Sequence, residues 1–471
     1  MRMSAMSAER SLSPKDIVSC GLCIGCGACG GMLNAGNALR FDQYGQYKPR
    51  RDAPGYGRRT DRFARTCPFS PFAMNEDEIA QDRFPDARQM DEHIGAFEAA
   101  FVGYVAEGEF RGLGSSGGMV SWVAAELLRC GMVDGVAHVG GVDGAGHPYF
   151  DYRISRAVAD VRAGAKSRYY PVELSGVLDE IRTVPGRYAI VGIPCFIKAI
   201  NLARAEEPVL AERIVHTLGL FCGHMKSARF VESLAWQMAA GTDEVEKVDY
   251  RVKDPRRPAN WYTAEIGLID GRTRRKDWWH LSDGDWGAGF FQNSACNFCD
   301  DVVAETADIA FGDAWVEPYS SDGRGTNVVV IRSLILNELI QEAARKDRLN
   351  LTEVDADLVR RTQAAGFRQR REGLAYRLTW ARAGVSPRKR VRPSTAIPFR
   401  RKLTYRCRAA ISWWSHRIFY IARTLERPRL YVQWARFALY VYHALAYSRG
   451  SMGALADRLA SLFPSRRDTA L

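Results

Sequence analysis

No stretch of these 471 residues reaches the roughly 18 uninterrupted apolar positions that a membrane-spanning helix requires. The opening segment, MRMSAMSAERSLSPKD, carries no apolar core of the secretory-leader type. The eleven cysteines are odd in number, so a disulfide framework is not expected and a reducing, cytoplasmic setting is. No Walker loop, no Ser, His and Asp order and no close carboxylate pair stands out, which leaves phosphoryl transfer and hydrolysis without machinery. Internal repeats and low-complexity tracts are absent too. Acidic residues are scarce at one end only: residues 361–471 hold 24 Lys and Arg against 4 Asp and Glu, whereas residues 1–360 hold 42 against 50. The body is mildly acidic and the rest strongly basic.

What is abundant is cysteine in one place. In CGLCIGCGACGG, residues 20–31, Cys20, Cys23, Cys26 and Cys29 recur at every third position. A cubane iron–sulfur cluster needs one thiolate for each of four irons; such a loop wraps three corners, and the fourth ligand comes from a distance, often just before a proline. Cys23, Cys26 and Cys29 with Cys67 of TCP fill the four corners and leave Cys20 spare, although Cys20 can replace Cys23 in the set. Zinc, the competing reading, normally takes separated C-x2-C pairs. Four more cysteines are Cys195 in GIPC, Cys222 in LFC, and Cys296 and Cys299 in ACNFC. Their spacing alone does not separate a second cluster from small buried side chains. Cys130 and Cys407 have no partner spacing and read as structural.

The chain is long enough for about three domains. Residues 1–75, rich in Gly and Cys, read as a small ligand-organised module, followed by a polar, acidic linker near 75–95. AAFVGYVA reads as a buried strand. Val120, Val123, Ala124, Leu127 and Leu128 fall on one helical face, and GVAHVG resumes as a strand. Further strands are expected at YAIVGIP, IVHTLGLFC, YTAEIGLI, ADIAFGD and NVVVIRS, and a helix over about Leu336–Arg345. The fold class is therefore α/β (α+β), with Cys195 and Cys222 at strand ends, where sites assemble.

In GLGSSGG, glycines allow close backbone approach to a phosphate, while Ser115, Ser116 and the amides of a helix starting near Gly117 and Gly118 donate to it. A plain helix cap has the same composition. KSRYY adds cationic and aromatic groups, and Asp313 either touches a cofactor or caps the next turn.

Taken in order, LCIGCGAC with TCP, GSSGG, GIPC, LFC, C-x2-C and ADIAFGD resemble the beta-subunit family of coenzyme F420 hydrogenases and dehydrogenases, to which plant 7-hydroxymethyl chlorophyll a reductase is related. The likeness covers about residues 15–345. It implies a ferredoxin-like [4Fe–4S] module over 1–75 and a mixed-sheet FAD and iron–sulfur core over 95–345. It also implies electron transfer between a carrier, ferredoxin or F420, and a substrate or partner protein. Carried over by position, it implies a second cluster on Cys195, Cys222, Cys296 and Cys299, and cofactor contacts at Ser115, Ser116, Gly117 and Gly118. Ser167, Arg168 and Tyr169 fall on a further contact segment, with Arg168 where Lys is usual. The N-terminal module holds one complete cysteine set where some relatives carry two.

The basic helical tail, 365–471, lies outside the likeness. Gln433, Arg436, Tyr440, His443 and Tyr447 form one polar stripe of a helix whose other side is apolar. With the basic runs before it, residues 385–450 suit peripheral contact with the inner face of a membrane; the alternative is packing on the acidic body. Nucleic acid is a third option without a supporting fold. Two other functions compete with the oxidoreductase: a non-catalytic electron-transfer adaptor and a zinc-stabilised binding module.

Overall fold

The structure is a computed structural model describing residues 10–35, 37–142 and 148–461. Its centre is an eight-stranded mixed sheet. The strands are β1 (Ala99–Val105), β2 (Gly135–Gly141), β3 (Phe150–Ser155), β4 (Tyr188–Gly192), β5 (Ile214–Leu220), β6 (Ile309–Asp313), β7 (Asn327–Ile331) and β8 (Leu349–Glu353). They lie in the order β8-β1-β7-β6-β5-β4-β2-β3. The middle of the sheet, β6, β5, β4 and β2, is parallel, and the outer pairings are antiparallel.

Every residue of β4 and β7 is buried, as expected of strands covered on both faces. Successive β4 side chains alternate between two cores: Tyr188 and Ile190 pack on one side, Ala189 and Val191 on the other. Helices α1 (Met119–Arg129) and α2 (Leu334–Arg345) cover the second side through Val123, Leu127, Leu336 and Ile340. The first side carries the helix Pro194–Glu206 and the cysteine-rich N-terminal module.

Strands expected from sequence at 99–105, 135–141, 188–192, 214–220, 263–268, 309–313 and 327–331 are all present. The polar stretch near 75–95 is not a bare linker. It forms a helix, Glu76–Arg83, closed by an Asn75/Glu78 capping box, and a small hairpin, Gln89–Asp91 with Gly95–Phe97. Its acidity has a use: Glu76 is buried and pairs with Lys198 at 3.1 Å.

Beyond the sheet, α3 (Phe399–Thr424) and α4 (Pro428–Tyr447) form a hairpin, followed by the helix Gly450–Ser461. Among the described residues no helix is long and apolar enough to cross a membrane.

Candidate functional site

The first thiol set is assembled by backbone curvature. Gly25 and Gly27, which flank Cys26, have φ of +79° and +82°. Side chains there would also collide: a Cβ at Gly27 would stand 2.1 Å from Glu173 Oε2, and one at Gly25 2.4 Å from the Tyr47 carbonyl. Curled this way, the loop presents Cys23, Cys26 and Cys29 to one cavity, and Cys67, the cap of the helix Asp61–Thr66, closes it together with Pro68. Ile17, Leu22, Ile24, Phe63 and Phe69 complete the apolar wall. Burial pushes the Cys26 thiol up to about 12, with the neighbouring Cys23 adding to it, and raises Cys29 and Cys67 in the same way. Cys20 lies elsewhere: its Sγ accepts from the Val385 amide at 3.1 Å. Of the two alternatives open in the sequence, the geometry groups Cys23 with the other three.

The second set gathers at the carboxyl edge of the parallel strands. β4 and β5 run in register, Gly192 beside Gly219, so Cys195 and Cys222 leave adjacent strand ends at the same level. Cys296 and Cys299 arrive on the short 3-10 turn Ser294–Phe298. Burial raises Cys195, and the neighbouring Cys299, Cys222 and Cys296 raise it further. Burial carries Cys222 to about 12 and Cys296 to about 11. The Met225 amide donates to Cys296 Sγ at 3.3 Å.

The two sets are neighbours. Asn293 Nδ2 donates to the Ile24 carbonyl at 3.4 Å and Ser294 Oγ to the Gly21 carbonyl at 2.6 Å, fastening the Cys296–Cys299 loop to the first one. Tyr152, held by the Val191 carbonyl at 2.8 Å, feels both Cys195 and Cys26.

Each donor set is all thiol, which suits iron–sulfur chemistry. Among the described residues, no group of three or more His, Cys, Asp or Glu side chains is arranged to hold a metal ion. A further observation bears on the fit. Arg370 is buried, donates to the Cys222 and Gly223 carbonyls at 2.8 Å, and keeps Nη1 without an acceptor among the described residues. A buried cation beside four thiols offsets the negative charge of a thiolate-bound cluster.

The Gly-Ser loop follows β1 at the same edge of the sheet. Gly118, at φ +85°, caps α1, which begins at Met119 rather than near Gly117. The Met119 amide is taken by Asn327 Oδ1 at 3.1 Å. The N–H groups of Ser115, Ser116, Gly117 and Gly118, by contrast, have no acceptor among the described residues. Ser115 Oγ accepts from the Ser167 amide at 2.8 Å, which joins the two segments singled out in the sequence. Ser115 also lines a polar pocket with Arg251, Lys253, Trp261 and Tyr262. Lys253 Nζ donates to the carbonyls of Arg111, Ser116 and Arg324, and burial with Arg251, Lys166 and Arg111 nearby lowers it to about 7.

Asp313 neither caps a turn by itself nor stands open to a ligand; it is paired in a fork with Arg251 at 2.9 and 3.1 Å. Tyr169 lies against Trp286, with ring centroids 4.7 Å apart, and Trp286 stacks on His224 at 4.5 Å. Arg168 lies over the Phe150 ring.

Two profiles of one protein family, the beta subunit of coenzyme F420 hydrogenase/dehydrogenase, match the chain: the N-terminal profile over residues 100–179 and the C-terminal profile over residues 186–357. Together they take in more than half of the chain. It belongs to the coenzyme F420 hydrogenase/dehydrogenase beta-subunit family. No curated protein matches it. Among solved structures, a chain of the F420-reducing [NiFe] hydrogenase complex from Methanosarcina barkeri is similar over 64% of this chain and 99% of its own, with 17% identity and a TM-score of 0.49.

In this beta-subunit family member the matched region holds the Gly-Ser loop and the second thiol set, while Cys23–Cys67 and everything after residue 357 fall outside it. The C-terminal segment is nonetheless part of the site. Arg377 donates to the Asn297 carbonyl at 2.8 Å, Lys389 pairs with the buried Asp300 at 3.0 Å, and Arg390 is held by Glu305. The segment thus clamps the loop that carries Cys296 and Cys299. The apolar side of α4, open in the sequence between membrane and body, lies on the body: Tyr431 donates to Asp283 at 2.9 Å, and Ala435, Ala438 and Tyr442 are buried beside it. His443, assigned to the polar stripe, pairs with Asp285 at 2.7 Å. Arg251, Lys253, Arg370 and Trp286 were not singled out by sequence. The alternating YRVKD run at the end of a strand is the signal that points to the first two.

Proposed function

We propose that the chain is an iron–sulfur flavoprotein oxidoreductase, passing electrons between a carrier, F420 or ferredoxin, and a substrate or partner protein. The observation that carries this reading is the gathering of eight cysteines from separate segments into two adjacent all-thiol sets. Cys23, Cys26, Cys29 and Cys67 would hold one [4Fe–4S] cluster, and Cys195, Cys222, Cys296 and Cys299 a second. Bound FAD would supply the step between paired and single electrons.

The chain's own residues support that chemistry in three ways. The N–H groups of Ser115–Gly118 offer donors to a pyrophosphate beside the start of α1, and Lys253, whose three donors go to the carbonyls of Arg111, Ser116 and Arg324, braces that loop. Tyr169, Trp286 and His224 form a packed aromatic row, with His224 two positions after Cys222 in the chain. Arg370 supplies buried positive charge at the second thiol set. The adaptor reading, in which the chain passes electrons without turning over substrate, draws on the family description "beta subunit".

Protein purified without oxygen distinguishes them. The oxidoreductase reading expects stoichiometric flavin that is bleached by reduced F420 or reduced ferredoxin. Clusters without flavin, and no reduction by either carrier unless a second protein is added, would favour the adaptor.

A further inference from the structure

The α3–α4 hairpin uses one face to pack on the body. The buried side of α3 is Arg408, Ile411, Ser412, Ser415, His416, Phe419 and Ala422. Ser412 Oγ donates to the Gln292 carbonyl at 3.0 Å, and the Phe291 amide donates to Ser415 Oγ at 2.9 Å. At 100° per residue the opposite side, Trp413, Trp414, Arg417, Tyr420, Ile421 and Leu425, spans an arc of about 140°. That arc faces solvent, yet it is largely aromatic and aliphatic: Trp413 is 49% exposed, Trp414 46% and Leu425 55%. The outer side of α4 continues the pattern with Leu430, Tyr440 and the 63%-exposed Phe437.

Charge on this hairpin is almost all of one sign. Between residues 399 and 449 the sequence has eleven Lys and Arg and a single acidic residue, Glu426. Arg417 lies over the Trp413 ring, while Arg427 and Arg429 flank the turn next to Leu425 and Leu430, outside the ion pairs that hold the C-terminal segment to the body. Exposed tryptophan and tyrosine among arginines, on a helix too polar to cross a bilayer, is the composition that the headgroup layer accepts. The apolar rings enter the boundary of the acyl chains and the guanidinium groups meet lipid phosphates.

We propose that the outward face of this hairpin, Trp413 to Leu430, docks on an anionic lipid surface. The occupant is a bilayer rather than nucleic acid, because the face combines arginine with bulky aliphatic side chains that a phosphate backbone does not engage. It is also distinct from the apolar side of α4, which the body already covers. This inference is independent of which cofactors the thiol sets hold.

The test is flotation of the full-length protein with vesicles of phosphatidylcholine containing about 30% phosphatidylglycerol, against vesicles of phosphatidylcholine alone. The expected result is binding to the anionic vesicles that falls about tenfold in Trp413→Ser/Trp414→Ser and in Arg427→Glu/Arg429→Glu, and weakens at high salt. Brominated lipid should quench tryptophan emission in the wild type and not in the double-serine variant. Unchanged circular dichroism and iron content show that the variants are folded. The proposal is overturned if the wild type stays with the unbound protein on anionic vesicles. It is equally overturned if both double variants bind as the wild type does, or if the tryptophan variant instead dissociates a self-associated species.

Discussion

Ser294 Oγ donates to the Gly21 carbonyl at 2.6 Å, and through that contact the loop bearing Cys296 and Cys299 is fixed against the loop bearing Cys23, Cys26 and Cys29. The bond joins residues 273 positions apart in the chain. Two thiol sets built from unrelated segments are therefore joined through their loops, and the Tyr152 hydroxyl is raised by Cys195 of one and Cys26 of the other. Single electrons pass readily only between redox centres held close together, and this contact would supply the closeness for the two clusters proposed above.

The sets should be separable by mutation. Cys195→Ala is expected to halve the iron, from about eight atoms per chain to about four, and leave one cluster signal in the paramagnetic resonance spectrum. Cys20→Ala, outside the first cavity, should leave the iron content unchanged. Iron and sulfide analysis of protein handled without oxygen checks both.

Gly27→Ala should damage the first set before anything else. The left-handed backbone costs an L-residue about 1–2 kcal/mol, and the new Cβ would stand 2.1 Å from Glu173 Oε2 and 2.7 Å from the Leu174 amide. Thermal unfolding is expected to shift down, with loss of iron from one cluster. A variant as stable and as iron-rich as the wild type would show that the loop is not held as described.

Lys253→Met should loosen the Gly-Ser loop proposed to bind FAD and lower flavin content while sparing iron. The ammonium ties together the carbonyls of Arg111, Ser116 and Arg324 beside Ser115. Losing charge-assisted hydrogen bonds of this kind is worth roughly 1.5–3 kcal/mol to the order of that loop, so added FAD should bind more weakly. Flavin content after purification, and fluorescence titration of added FAD, provide the measurement.

Acid should destabilise the fold below neutrality. Burial lowers His138 and His416 to about 4, against about 6.5 when unfolded. Between those values the unfolded chain binds protons that the folded chain refuses, so stability falls as pH drops from 6.5 toward 4. Each histidine contributes on the order of 2–3 kcal/mol across that window. Denaturant unfolding at pH 7, 6 and 5 should show the decline, and His416→Gln should flatten part of it.

Arg370→Gln removes a buried positive charge from the second set. Adding an electron there then becomes harder, so the potential of that cluster should fall, by roughly tens of millivolts, with the first cluster unmoved. A redox titration followed by paramagnetic resonance reads the two separately.

Much of the architecture was legible because it obeys local rules. The apolar runs at 188–192, 309–313 and 327–331 are strands buried on both faces, and the C-x2-C-x2-C run with its distant Cys67 marks one cavity. The choice between Cys20 and Cys23 was not legible, since both satisfy the spacing; it depends on Val385, 365 residues from Cys20, accepting the surplus thiol as a neighbour. The convergence of Cys195, Cys222, Cys296 and Cys299 depends on strand register, which no local pattern encodes. The C-terminal segment reads as a detached basic tail because its partners, Asp283, Asp285, Asp300 and Glu305, are scattered acidic residues of the body. An amphipathic period looks the same whichever surface it will meet.

The most direct test is paramagnetic resonance of the dithionite-reduced protein, with iron, acid-labile sulfide and flavin counted on the same sample. The account predicts about eight irons, eight sulfides and one flavin per chain, with cluster signals broadened by mutual spin coupling that disappears in Cys195→Ala. A sample holding zinc without sulfide, or two clusters whose signals show no coupling, would contradict it.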